Sequence, residues 1–204
     1  IYNASKLVYH DFMYNIKRFN KLSHNYKLER LRKIKNYNGE NVDSKIWKNI
    51  HTVNCYRDIN QNDIKLLGNV HTLNLSYTNI KDVSVLGNVH NLNLSGCRNI
   101  TDVSMLGNVH TLELSMCHKI IDVSMLSNVR NLNLSWCDKI TDVYMLGNID
   151  TLYLIGCKNI TDVSMLGNVH TLNLSRCNNI RDVSMLGNVH TLYIDKDKYG
   201  KTYM

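Results

Sequence analysis

The sequence predicts an α/β solenoid in which short parallel strands stack into one sheet and tight turns return the chain between them. Internal repetition is the first observation behind this prediction, because the phrase L-G-N-V-H-T-L-N-L-S recurs with few changes. Its first leucine falls at Leu67, Leu86, Leu106, Leu126, Leu146, Leu166 and Leu186. A degenerate copy at 50–55 brings the expected number of coils to about eight. A repeat of this length is typical of solenoids, whose units bury their apolar sides only against one another.

The apolar positions of one copy are the second observation. Leu92 and Leu94 alternate with polar residues, and a period of two places both side chains on one face of a short strand. Apolar residues then come at every third position, at Cys97, Ile100, Val103 and Leu106. That spacing is typical of a tight, 3-10-like arc. Each copy is therefore expected to be a strand, a turn, a short arc and a second turn.

Two polar positions delimit the arc. Asp102 lies just before it, where a carboxylate can accept hydrogen bonds from free backbone N–H groups. Equivalent carboxylates belong to Asp82, Asp122, Asp142, Asp162 and Asp182. Gly107 follows the arc, and we expect it to adopt the left-handed conformation that closes a turn.

Residues 89–100 read V-x-x-L-x-L-x-x-C-x-x-I and resemble the leucine-rich-repeat family, whose core motif is L-x-x-L-x-L-x-x-N/C-x-L. The resemblance covers residues 50–194. It implies a right-handed solenoid with the parallel sheet on the concave face and short 3-10 or turn segments on the convex face. Residues 100–106, I-T-D-V-S-M-L, resemble internalin-type repeats but lack their proline. The C-x-x-I-T-D stretch is similar to repeats of F-box proteins, so the subclass stays open.

One column of the repeat contains cysteine. Its members are Cys97, Cys117, Cys137, Cys157 and Cys177. Stacking predicts a buried column of thiols, each a weak donor to a turn carbonyl, and the family resemblance implies the same. Disulfides or a metal site are the alternatives, but five equivalent cysteines without a C-x-x-C favour packing. Free thiols indicate a reducing compartment, so we expect a cytoplasmic protein without a metal or another cofactor.

Histidine and aspartate form two further columns. The histidines are His51, His71, His90, His110, His170 and His190, and Arg130 and Asp150 interrupt their column. A metal site is conceivable, but an exposed rim is the favoured interpretation. The aspartate column, which includes Asp102, Asp122, Asp142, Asp162 and Asp182, is interpreted as structural caps rather than paired catalytic carboxylates. No G-x-S-x-G, H-E-x-x-H or Walker-type motif is present, and we expect no enzymatic activity.

Outward positions of the strands carry a monotonous series of Thr, Asn and Ser, and the departures from it are candidate partner contacts. The candidates on the concave face are Tyr77, Glu113, Met116, Trp136, Tyr153, Ile155, Arg176 and Tyr193. Aromatic, Met and Arg residues are enriched at interfaces, which favours a protein partner. Neutral variation at solvent positions is the alternative. No apolar run is long enough to cross a membrane.

The ends of the chain lack the repeat. Residues 1–46 predict a basic cap of two helices, roughly 4–20 and 26–36, in front of a solenoid over 47–194 and a tail over 195–204. Residues 1–50 hold 11 Lys and Arg against 4 Asp and Glu, whereas residues 51–204 hold 13 of each. The net charge of +7 therefore belongs to the first segment. Nucleic-acid binding is consequently a hypothesis only for residues 17–35.

A second resemblance lies in the first segment. Ser5-Lys6-Leu7-Val8-Tyr9 resembles the closing helix of an F-box, and residues 44–50 resemble the junction between an F-box and its first repeat. The chain begins with Ile1 rather than Met, and we expect it to be part of a longer protein. The resemblance implies that an upstream region binds the Skp-type adaptor of a cullin ubiquitin ligase and that the repeats select substrates. A free-standing internalin-like or virulence-type binding protein is the alternative.

Overall fold

A computed structural model describes residues 52–55, 61–65 and 67–195. Within them, strands alternate with 3-10 turns, which confirms the predicted order of elements. The strands are β1 (Thr52–Asn54), β2 (Thr72–Asn74), β3 (Asn91–Asn93), β4 (Thr111–Glu113), β5 (Asn131–Asn133), β6 (Thr151–Tyr153), β7 (Thr171–Asn173) and β8 (Thr191–Tyr193). The 3-10 turns span Ser84–Leu86, Ser104–Leu106, Ser124–Leu126, Tyr144–Leu146, Ser164–Asn168 and Ser184–Leu186. A short helix, α1 (Gln61–Ile64), lies between β1 and β2. Coils 1 to 8 are numbered by the strand that begins each one.

The eight strands form one parallel sheet in chain order. Leu92 of β3 lies beside Leu112 of β4, and each later pair keeps this register. The ladder continues past the strands, because the Leu94 N–H donates to the Glu113 carbonyl at 2.8 Å and the Gly96 N–H to that of Ser115 at 2.7 Å. Equivalent residues therefore form columns that run from coil to coil.

Each coil points a set of apolar side chains into the interior of the solenoid. In coil 3 the buried apolar side chains are Leu92, Leu94, Cys97, Ile100, Val103, Leu106 and Val109, each at most 2% exposed. Burying an aliphatic side chain of this size stabilises a fold by about 1.5–3 kcal/mol before the entropy of ordering the chain is subtracted. Because each coil shares its buried side chains with its neighbours, the core is one continuous column.

The aspartates contact the start of each 3-10 turn. In coil 3 the Asp102 carboxylate accepts a hydrogen bond from the Ser104 N–H at 2.9 Å. The contact recurs in five other coils at 2.8–3.0 Å. These backbone hydrogen bonds lower the pKa of the carboxyl groups of Asp82, Asp102, Asp122, Asp162 and Asp182. Each of these carboxylates is therefore charged at neutral pH while it caps its turn.

The prediction that Gly107 closes its turn in the left-handed conformation is wrong. Gly107 has φ −60° and ψ −19°, and Ser127 occupies the equivalent place with φ −59°. Packing rather than dihedral freedom favours glycine here, because a Cβ on Gly107 would collide with the Met125 carbonyl oxygen of the next coil. Neighbouring coils therefore approach each other closely at this point.

Several predictions lie outside the described residues. They concern the helical cap over 1–46, its helices at 4–20 and 26–36, His51, and the tail beyond Asp195. Within the described ranges, no helix is both long and apolar enough to cross a membrane.

Candidate functional site

The outward side chains of the strands form the sheet surface, which comprises the first and third residue of β1 to β8. Most are Thr and Asn, and they bond within the sheet: Asn131 Nδ2 lies 3.3 Å from Thr111 Oγ1 of the preceding strand. The third-position asparagines also hold the following turn, as in coil 3, where Asn93 Oδ1 accepts from the Ser95 N–H at 2.9 Å. Asn74, Asn133 and Asn173 make the same contact. The surface is polar and ordered by its own hydrogen bonds.

Three strands replace this asparagine with another residue. Glu113, Tyr153 and Tyr193 occupy the position in β4, β6 and β8. Glu113 is the one charged side chain on the sheet surface, and it accepts a hydrogen bond from Asn133 Nδ2 at 2.8 Å. Partial burial raises the pKa of its carboxyl group. These three coils therefore present a different chemistry on the strands and lack the asparagine cap.

The turn after each strand contains a column that we call the left-handed row. Its members are Tyr77, Gly96, Met116, Trp136, Gly156 and Arg176, with φ between 58° and 72°. Glycine adopts such angles readily, whereas bulky L-residues do so at a cost. Four members of the row are therefore large residues in a strained backbone conformation, whereas the other two members are glycines, which adopt it without strain.

The large side chains of the left-handed row cover the glycines. A Cβ on Gly96 would lie 2.5 Å from Cδ1 of Tyr77, and a Cβ on Gly156 would lie 2.6 Å from Cε3 of Trp136. The Arg176 guanidinium lies 5.7 Å from the centroid of the same Trp136 ring. Gly156 therefore lies beneath an aromatic ring that also meets a cation, a favourable cation–π geometry.

The structure brings only part of the predicted set together. Met116, Trp136 and Arg176 line one edge of the sheet with Glu113, Tyr153 and Ile155 beside them across coils 4 to 7. Tyr77 in coil 2 and Tyr193 in coil 8 lie at opposite ends of this part of the array. Sequence reasoning placed the row on the sheet face and missed its left-handed backbone. The signal was present, since two glycines occur in that column.

The cysteine column has the geometry of a packing element. Each Sγ donates to the carbonyl of the last strand-face leucine in the preceding coil, at 3.0–3.2 Å. Thr78 occupies the equivalent position in coil 2, and its hydroxyl donates to the Leu75 carbonyl of its own coil at 2.7 Å. All six cysteines are thiols that form no disulfide in the part of the chain that the structure describes. Burial raises the pKa of Cys117, Cys137 and Cys157 to about 12, so these thiols are protonated and unreactive at neutral pH.

The histidine column lies along the other edge of the strands. His71, His90 and His110 stack with ring centroids 4.5–4.6 Å apart, and His170 stacks on His190 at 4.5 Å. Where the column is interrupted, Arg130 Nε lies 3.3 Å from Asp150 Oδ2. In the ranges described by the structure, no group of three or more His, Cys, Asp or Glu side chains is arranged to hold a metal.

Comparisons with known proteins support the fold. No protein-family model matches the sequence, and no curated protein does. An internalin (inlF) from Listeria monocytogenes superposes with a TM-score of 0.61 at 25% identity, over 74% of this chain and 48% of the internalin. The chain thus spans about half of that protein.

Two further solved structures match this chain at lower scores. The functional domain of InlJ from Listeria monocytogenes, described as including a cysteine ladder, matches with a TM-score of 0.47 at 17% identity, over 71% of this chain and 39% of that one. The Arabidopsis receptor kinase HAESA was solved with the peptide hormone IDA and the co-receptor SERK1. It matches with a TM-score of 0.47 at 19% identity, over 71% of this chain and 29% of the receptor chain. The in-order parallel sheet and the leucine columns define a leucine-rich-repeat fold. Solenoids of this class serve as protein-interaction scaffolds and are typically non-catalytic.

Proposed function

We propose that this protein recognises a protein partner through the left-handed row and the neighbouring sheet surface of coils 4 to 7. The observation that carries the proposal is the presence of Tyr, Met, Trp and Arg in a column whose backbone favours glycine. A non-glycine residue in this conformation costs about 1–2 kcal/mol. Side chains retained at such a cost point to a role beyond folding.

The residue types of the row support an interface. Trp and Arg are the residues most often found at the energetic centre of protein interfaces, and Met adapts to irregular partners. Trp136 is half-buried, whereas Met116 and Arg176 are exposed, so the row combines a partly buried ring with solvent-accessible side chains. Arg176 is further held at its backbone, because its N–H donates to Asp195 Oδ2 at 2.8 Å.

The sheet surface beside the row supports the same assignment. In coils 3, 5 and 7 an asparagine side chain accepts a hydrogen bond from the following turn. Glu113 and Tyr153 occupy this position in coils 4 and 6, which therefore lack the asparagine cap. Loss of such a cap costs about 1 kcal/mol. A carboxylate and a phenol at these positions provide two different contacts for a partner next to Trp136.

Selection from random peptides displayed on phage tests the proposal without knowledge of the natural partner. We expect peptides selected on the wild-type chain to bind at least about tenfold more weakly to the triple variant Met116→Gly, Trp136→Gly, Arg176→Gly, because it removes the anchors and keeps a permitted backbone. Met185→Ala, on a 3-10 turn, is the control and should bind normally. Equal binding of all selected peptides to the triple variant would contradict the proposal.

For the biological role of this binding we propose substrate recognition in an F-box-type ubiquitin ligase. The support is the sequence resemblance of residues 5–9 and 44–50, which lie outside the described residues, and the role implies a cytoplasmic location. Co-purification of the full-length protein with a Skp-type adaptor tests it. Failure to bind the adaptor would favour a free-standing internalin-like binding protein.

Nucleic-acid binding through residues 17–35 is a separate candidate, favoured by the +7 charge of residues 1–50. Affinity for random duplex should then fall steeply with salt and should vanish when the lysines and arginines of that segment are replaced by glutamine. Binding that survives these replacements would reject this candidate.

A further inference from the structure

The 3-10 turns expose a second apolar surface, which we call the methionine face. It consists of Met105, Ile121, Met125, Tyr144, Met145 and Met165 in coils 3 to 6. These side chains are each 45–60% exposed. Exposed apolar side chains scattered singly are normal, but a contiguous patch marks a site of interaction. Sequence reasoning did not identify this surface.

The turn geometry explains why the patch is continuous. In each Ser-Met-Leu turn the leucine is buried, as Leu106 and Leu126 are, so the preceding methionine faces outward. Consecutive turns stack at the strand spacing of about 4.8 Å, so four methionines span roughly 15 Å along the solenoid axis. Methionine is flexible and polarizable, and it adapts to apolar partners of varied shape.

Negative charge borders the methionine face. Asp102, Asp122, Asp142 and Asp162 lie three residues before the methionines and are exposed. Among the residues that the structure describes, the ion pairs are His118–Asp138 and Arg130–Asp150, so none of the four aspartates is paired with a cation.

The basic residues nearest to this border in the sequence form no ion pair with the four aspartates among the described residues. The neighbouring position along the chain carries Lys81 in coil 2 and Arg181 in coil 7, but Thr or Ile in coils 3 to 6. Arg98, Lys119, Lys139 and Lys158 lie three or four residues before these aspartates along the chain. The methionines are followed by exposed asparagines. The methionine face is therefore apolar with an acidic edge.

We propose that the methionine face binds a cationic amphipathic helix of a partner protein. Such a helix places a leucine-rich stripe on the methionines and lysine or arginine side chains along the aspartates, the helix-in-groove mode of recognition. A helix of about 10 residues is roughly 15 Å long, which matches the span of the four methionines. Two other partners are disfavoured by charge. A second copy of the same face would bring aspartate against aspartate, and the aspartates would repel an anionic membrane.

A labelled helical peptide of leucine and lysine, patterned with a period of 3.6, is the probe. We expect it to bind the full chain, as measured by fluorescence anisotropy, with an affinity that weakens as salt is raised. The same pattern of leucine and glutamate should not bind. Absence of binding by the lysine peptide at 100 μM, or equal binding by the glutamate peptide, would overturn the proposal.

Two double variants locate the site. Asp122→Asn with Asp142→Asn removes two charges, and the amide oxygen of asparagine can still accept the turn hydrogen bond, so the fold is kept. Met125→Gln with Met145→Gln removes apolar surface at similar side-chain length. Each should weaken peptide binding about tenfold, whereas Met116→Gly on the left-handed row should leave it unchanged.

Three other results would overturn the proposal. They are unchanged peptide binding by both double variants, self-association in sedimentation that is lost in the methionine variant, and binding to vesicles of anionic lipid. The first would show that the peptide binds elsewhere. The other two would assign the face to a second copy or to a membrane.

Discussion

Arg176 places its guanidinium 5.7 Å from the centroid of the Trp136 ring, although the two residues belong to coils 7 and 5. The residue between them in the column is Gly156, and the Trp136 ring occupies the space where a Cβ would project. The same relationship joins Tyr77 to Gly96, with coil 2 covering coil 3. The left-handed row is therefore a set of interlocking residues, in which a glycine in one coil makes room for an aromatic ring from the coil before.

Replacement of Gly156 by alanine tests this interlocking. Its backbone has φ 70°, and the new Cβ would meet the Trp136 ring. We expect Gly156→Ala to lower the free energy of unfolding by about 1–3 kcal/mol. Urea denaturation followed by circular dichroism measures the change.

Two further variants separate the causes. Gly187→Ala is the matched control, because that glycine has φ −61° and its Cβ would meet nothing within 4 Å; it should be neutral or slightly stabilising. The double variant Gly156→Ala, Trp136→Ala keeps the strained backbone but removes the ring. Its loss should be smaller than the sum of the two single losses, and strict additivity would argue against the contact.

Glu113→Asn should stabilise the fold. Asparagine at this position can accept the Ser115 N–H, as Asn93 accepts that of Ser95, and the substitution removes a half-buried carboxylate. We expect a gain of about 1 kcal/mol at pH 7. If the gain is accompanied by weaker binding of peptides selected on the wild type, Glu113 is retained for recognition rather than for stability.

The gain from Glu113→Asn should depend on pH. Burial raises the pKa of the Glu113 carboxyl group above its ordinary value of 4.5, so the folded state favours the protonated form. The contribution of this group is therefore most favourable below its unfolded pKa and is lost as the pH rises through the folded pKa. The advantage of the asparagine variant should be larger at pH 7 than at pH 4. A pH-independent difference would show that the carboxylate carries no burial penalty.

The cysteine column predicts slow thiol chemistry in the folded protein. Because burial raises the pKa of Cys117, Cys137 and Cys157 from 9.0 to about 12, little thiolate is available at pH 8. A colorimetric thiol reagent should find six thiols in denaturant without reductant, but these three should react slowly in the native state. Fewer than five thiols in denaturant would indicate disulfides and would contradict the packing role.

The same thiols predict a loss of stability in alkali. Their folded pKa lies above the unfolded one, so their contribution is complete below about pH 9 and is lost as the pH rises towards 12. The triple variant Cys117→Ala, Cys137→Ala, Cys157→Ala should be less stable at pH 7 but should lose less on going from pH 8.5 to 11. Parallel pH profiles for the two proteins would show that the column does not titrate.

The aspartate caps predict a different response in acid. Asp102→Ala removes the acceptor of the Ser104 N–H and should cost about 1 kcal/mol, whereas Asp102→Asn should cost less because its amide oxygen can accept the same bond. The lowered pKa of these carboxyl groups means that their contribution is present above pH 3.8 and is lost as the pH falls through the folded pKa. Thermal melts from pH 5 to pH 2 measure this loss. Equal stability of the alanine and asparagine variants would contradict the cap.

Much of the fold can be predicted from the sequence because the same pattern of buried apolar positions recurs in every copy of the repeat. The alternation of Leu92 and Leu94 and the three-residue spacing from Cys97 to Val103 specify the strand and the arc without knowledge of their dihedral angles. The apolar pattern shows which side chains are buried, but it predicted the backbone dihedral angles poorly. It assigned a left-handed angle to Gly107, where close packing against Met125 is the reason for glycine.

The candidate site was harder to predict for the same reason. Periodicity shows which side chains are buried, so Trp136 and Arg176 were recognised as departures, but their contact across Gly156 depends on the turn geometry. The methionine face was missed because Met105 and its equivalents look apolar in sequence, although the arc turns them outward. Apolar residues adjacent to a buried leucine in a 3-10 turn are exposed by the three-residue period.

Methyl NMR of the eight methionines, recorded during titration with a peptide selected on the wild-type chain, tests most directly whether the left-handed row binds a partner. Binding at the left-handed row predicts a shift of the Met116 methyl signal, with Met105, Met125, Met145, Met165 and Met185 unchanged. The leucine-lysine helix should give the converse, shifting the methionine face and leaving Met116 in place. An unmoved Met116 signal at saturation with the selected peptides would contradict the assignment of the left-handed row as the partner-binding surface.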